Sequence, residues 1–123
     1  MRMPRDAFER LVAHALDDVP AEFREKLENV EILVEDSPSP EDLGGREVAP
    51  GTLVLGLYRG VPLTRRSVFA TNLFPDQIII FQRPIERICR TPDQIVEQVR
   101  RTVLHEIAHH FGISEKRLRE LGY

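Results

Sequence analysis

The chain has 123 residues, 41% of them hydrophobic and 30% charged, enough for one compact domain with a real core and too few for two. Its 17 Lys and Arg stand against 20 Asp and Glu, a net charge of −3, which argues against sustained contact with nucleic acid or an anionic membrane. No run approaches the roughly eighteen apolar residues of a membrane span, no signal-peptide core is present, and the single cysteine, Cys89, excludes an internal disulfide framework, so a cytoplasmic protein is expected.

From Phe8, apolar residues recur at Leu11, Val12, Ala15, Leu16 and Val19, a period that predicts a helix over roughly residues 5 to 18. Pro20 interrupts it and suits the first turn of a second short helix carrying Phe23 and Leu27, to about Glu28. Both helices are expected to cover the core. Val30, Ile32 and Val34 alternate with Glu31 and Glu35, the pattern of a half-buried strand. Asp36 to Gly51, punctuated by Pro38, Pro40, Gly44, Gly45 and Pro50, reads as a long loop. Residues 52 to 58 form a run apolar on both faces, expected inside the sheet, and Arg59-Gly60 offers a turn before Val61. A polar connection through Arg65, Arg66 and Asn72 leads to a third strand, Gln77 to Phe81, closed off by Pro84. Arg59, Arg65 and Arg66 are expected to make ordinary ion pairs with this acidic chain.

Thr91-Pro92-Asp93-Gln94 has the grammar of a helix start: a capping hydroxyl, a proline at the first helical position and a Gln three residues after the cap. Ile95, Val96, Val99, Val103, Ile107 and Phe111 then keep one face apolar until Gly112, a natural left-handed terminator, and Ser114 can cap a last helix carrying Leu118 and Leu121.

Inside the long helix stands His105-Glu106-Ile107-Ala108-His109. On a helix, residues four apart share a face with Cβ atoms about 5–6 Å apart, so two imidazoles can converge on one ion. At 100° per residue, His109 falls about 40° and Glu106 about 100° from His105, which sets a general base beside the metal without making it a ligand. Chance yields roughly 0.01 such patterns in a chain of this composition, so coincidence explains the spacing poorly. A turn at Gly112 would bend the chain back so that Glu115 could serve as third ligand, in competition with a plain role as a carboxylate in the first turn of the last helix. His110, about 140° round the wheel, is expected to be a core histidine, and His14 to be at the surface or structural.

At these residues the chain resembles the zincin metallopeptidases and, more narrowly, the small single-domain minimal zincin family. The likeness runs through V-E-I-L-V-E-D-S-P from Val30 to Pro38, G-L-Y-R-G-V-P-L-T-R-R-S from Gly56 to Ser67, and T-V-L-H-E-I-A-H-H-F-G-I-S from Thr102 onward. The family pattern ends H-x-x-G-x-x-D, where this chain has Glu115, one methylene longer, and no methionine follows the helix to form a Met-turn. The resemblance implies an α+β domain with a short mixed sheet backed by helices. It also implies His105, His109 and Glu115 as Zn²⁺ ligands, Glu106 as catalytic base, and Ile78, Ile79, Ile80 and Phe81 as a strand edge for a peptide or protein substrate. Tyr123 is available to support the site. Two rival readings stand beside peptide hydrolysis. One is a non-catalytic binding or regulatory module on the same fold; the other is a different metal-dependent hydrolase such as an endoribonuclease, disfavoured by the Glu of H-E-x-x-H and by the absence of a basic, aromatic-studded face. An apolar strand near an edge is also compatible with a homodimer.

Overall fold

The computed structural model describes residues 1–44, 53–60 and 75–123. Its elements follow in the order α1 (Arg5–Asp17), α2 (Ala21–Leu27), β1 (Val30–Glu35), β2 (Gly56–Arg59), β3 (Asp76–Phe81), α3 (Gln82–Ile88), α4 (Pro92–Phe111) and α5 (Glu115–Glu120). Helices and a small mixed sheet together make an α+β fold. The second part of the expected long loop, Thr52, the turn into Val61, and Arg65, Arg66 and Asn72 lie outside the described residues.

The sheet has the order β1-β3-β2, with β1 parallel and β2 antiparallel to β3. Ile78 and Ile80 point into the main core, while Ile79 and Phe81 take the other pleat and are equally buried. A strand with both neighbours paired and both faces covered gains most from β-branched side chains, and D-Q-I-I-I-F supplies them. Two sequence expectations are corrected here. The run ending at Tyr58 is not inside the sheet: among the described residues β2 is an outer strand, four residues long. The chain also does not simply stop its strand at Pro84, because α3 begins at Gln82 and Pro84 sits in its first turn, where the missing N–H would have no helical partner in any case.

α4, about 30 Å long, is the axis of the core. It packs on α1 and on the sheet, contributing Ile95, Val99, Val103, Leu104 and Ile107 to a cluster with Phe8 and Phe23 that is closed to solvent. Each such side chain contributes about 1.5–3 kcal/mol on burial. Its start is as the sequence predicts: Thr91 accepts from the Gln94 N–H at 3.1 Å, and the Gln94 side chain reaches back to the Arg90 N–H at 2.7 Å. One anchor carries no signal in the sequence. Arg100 is nine-tenths buried, donates to the Ala15 carbonyl at 3.0 Å and ties α4 to the end of α1. Among the described residues, no helix is long and apolar enough to cross a membrane.

Candidate active site

The C-terminal half of α4 runs against β2, and the two approach closely at Gly56. A Cβ there would lie 2.5 Å from the Thr102 Cγ2 and 3.2 Å from the Ile79 carbonyl, so only glycine lets strand and helix come this near. The approach forms a cleft of about 400 Å³ between residues 53–56 and the face of α4 that carries Arg101, His105 and Glu106.

Glu106 is half-buried in this cleft and hydrogen-bonded by the Tyr58 N–H of β2. Burial pushes its carboxyl above the ordinary range, outweighing the charge of His109 and the Tyr58 N–H, which both pull the other way. A carboxyl so placed keeps an appetite for a proton, as a general base requires. His105 is about one-third exposed, and His109 lies at the surface.

α4 ends at Gly112, whose φ of 71° is left-handed, and the Ile113 N–H bonds back to the Ala108 carbonyl at 2.8 Å. Ser114 then accepts from the Arg117 N–H at 3.1 Å and starts α5, which is held by buried Leu118 and by Arg117, whose guanidinium forks onto Glu22 of α2. This reversal returns Glu115 to within 3.9 Å of His105, Oε1 to Nδ1. The turn expected at Gly112 is present, and it brings Glu115 beside His105.

Zinc asks for two or three imidazoles and carboxylates at about 2.0–2.2 Å, with donors roughly 3.4 Å from one another. Two imidazoles on one helical face and a carboxylate 3.9 Å from the first match that donor set in kind. They are not gathered as they stand: among the described residues, no three His, Cys, Asp or Glu side chains lie close enough to form a metal-binding group.

Other expectations are corrected. Ile78, Ile79, Ile80 and Phe81 cannot offer an edge to a substrate, because β1 and β2 occupy both sides of β3 and all four side chains are sealed from solvent. The backbone bordering the cleft belongs instead to residues 53–56. His110 is exposed and no core residue; the end of α4 carries it onto Tyr58, ring on ring at 3.7 Å and 11°, with Phe111 edge-on at 4.9 Å. Arg59 behaves as expected, pairing with Asp42 and Glu35, Cys89 is buried with its thiol pushed up by that burial, and His14 is at the surface. Tyr123 packs against the core near Leu118, to whose carbonyl its N–H donates at 2.9 Å.

The sequence profile of the zincin-like metallopeptidase family matches residues 27–123. The chain belongs to that family. No curated protein matches it. Among solved structures it is similar to a conserved hypothetical protein from Thermo thermophilus, at 24% identity and a TM-score of 0.57, over 89% of this chain and 94% of that one. That likeness bears on the fold alone.

Proposed function

We propose that this chain is a zinc-dependent peptidase in which His105, His109 and Glu115 hold the ion and Glu106 is the general base. The observation that carries the proposal is the half-buried Glu106, its carboxyl raised by burial, on the same helix as the two histidines and facing the cleft beside β2. Zinc in such a site supplies Lewis acidity, polarising a carbonyl and making water a stronger acid. Glu106 takes the proton from the attacking water and passes it to the departing amine. The Tyr58 N–H fixes the direction of that carboxylate, and the wall of residues 53–56 lies where a peptide can extend past it. The Gly112 reversal, braced by Arg117 on Glu22, sets the height of Glu115 against His105.

The test is zinc content by elemental analysis after reconstitution and dialysis, for the parent chain and for His109→Ala and Glu115→Ala. One zinc per chain, lost in both variants, is the expected result. A parent chain that keeps no zinc removes the peptidase reading and leaves a binding module on a zincin-like fold.

A further inference from the structure

The cleft beside Glu106 has a polarity that water activation does not use. Its strand wall offers Leu53, Val54 and Leu55, and on the helix wall the ionisable groups are Arg101, His105 and Glu106. Arg101 lies four residues before His105, hence on the same helical face, about 6 Å along the axis. Among the described residues its charge has only a distant partner. Glu97 Oε1 stands 4.0 Å away, at the limit of an ion pair, while Oε2 of the same carboxylate is taken by Arg100 at 3.1 Å. The Arg101 side chain is 43% exposed, so it keeps donors for a ligand. Gln98, one turn back toward the helix start, is engaged with the Thr102 hydroxyl at 3.1 Å and brings no opposing charge.

We infer that Arg101 is a specificity-determining residue, and that the cleft takes peptides carrying a carboxylate about two residues from the scissile bond beside an apolar stretch. The distance follows from scale: about 6 Å along the helix corresponds to roughly two residues of extended peptide at about 3.4 Å each. Arginine suits the task because its planar fork can donate twice to one carboxylate, which a lysine cannot match. The carboxylate can belong to an internal Asp or Glu or to a free peptide C-terminus. This inference rests on the peptidase reading for what the cleft is near, and its experiment separates the two.

The probe is a set of fluorescent heptapeptides of Ala and Leu with one Glu moved along the chain, each matched to its Gln counterpart, all amidated. A second set is neutral throughout, with free or amidated C-termini. Binding is read by anisotropy on zinc-reconstituted Glu106→Gln protein, in which cleavage is disabled, and repeated on metal-free protein. The expected result is at least one Glu position, or the free C-terminus, bound roughly tenfold more tightly than its neutral match. That ratio falls to about one in Glu106→Gln/Arg101→Gln and is partly restored in Glu106→Gln/Arg101→Lys. The internal-Glu set and the C-terminus set identify which source is read. Equal binding of charged and neutral peptides overturns the inference, as does a preference that survives Arg101→Gln or no binding at all. Incubation of the same peptides with the zinc-loaded parent chain tests the other reading. Preference without cleavage removes the peptidase and keeps the carboxylate-binding cleft; cleavage without preference does the reverse.

Discussion

Two polar clusters in this chain are built on opposite terms. In the first, Gln82 and Glu86 of α3 are buried, and their side chains are engaged on several sides. Gln82 takes Arg5 at 2.7 Å and gives to the Met3 carbonyl at 2.9 Å, while Glu86 receives the Met3 N–H, Gln82 and Arg83 at 2.7–3.0 Å. In the second, His105, Glu106 and His109 of α4 and Glu115 at the start of α5 are half-exposed or exposed, with 3.9 Å between His105 and Glu115. A buried polar network is stable only when its donors and acceptors are matched, and the first cluster meets that demand. The second is only loosely engaged: Glu106 accepts the Tyr58 N–H, and Glu115 lies beside His105. Closure suits a cluster that holds the fold together, and openness is what the proposed zinc site requires.

The comparison can be broken from either side. The largest effect is expected in the open cluster: Glu106→Gln should lower peptide cleavage by about 10²–10⁴-fold. Zinc content should be kept, and the melting temperature unchanged or slightly higher, because a neutral amide relieves the burial penalty that raises the carboxyl. Loss of zinc or of folded protein along with activity would put Glu106 in the closed class. Next comes the join between strand and helix. Gly56→Ala drives a methyl to 2.5 Å from the Thr102 Cγ2 and should cost about 1–3 kcal/mol in urea unfolding. Adding Thr102→Ser, which removes that methyl, should return most of it; absence of rescue would mean that the helix does not sit on β2 as described.

The smallest effect belongs to the closed cluster. Burial alone would raise the Glu86 carboxyl, but Gln82, Arg83 and the Met3 N–H together hold it below the ordinary carboxylate range. Its charged form therefore stabilises the fold fully above the unfolded-state value, and the contribution is lost as pH falls through the lower folded-state value. Asp42, paired with Arg59 and Ser39, is lowered against its own burial in the same way. Glu86→Gln exchanges charge-assisted bonds for neutral ones and should cost about 1 kcal/mol at neutral pH. Parent and variant unfolding curves should converge as the solution is made acid; a constant gap down to the lowest pH would show that Glu86 is not held ionised.

What is legible in the sequence is what depends on near neighbours. The ends of α4 can be read because Thr91, Gln94 and Gly112 act on backbone groups within five residues. The shared face of His105 and His109 can be read because helical spacing fixes it, and the return of residue 115 toward that face because a single left-handed glycine fixes the reversal. Strand order is not legible. Placing β3 between β1 and β2 depends on pairings across many residues, so the resemblance-based expectation of an edge at Ile78 to Phe81 falls on the middle strand. α3 escapes detection because Pro84 in a first turn looks locally like a terminator. His110 misleads because a wheel describes an infinite helix, and this one runs past its core at the last turn.

The parallel pairing of β1 with β3 joins positions 46 apart along the chain, with β2 threaded between them in sequence and outside them in space. Such a ladder cannot zip from a hairpin. The entropy of closing that loop is lost before the first cross-strand contact returns anything, which slows folding relative to a helical bundle of equal length. The bond from Arg100 to the Ala15 carbonyl spans 85 residues and adds to the same burden. The local pieces β3, α3 and α4 follow one another directly in sequence, whereas the cleft at Gly56 needs β2 laid against both β3 and α4. A chain caught part-way, with α4 formed and β2 still loose, would carry the two histidines on their helix but have no cleft beside them.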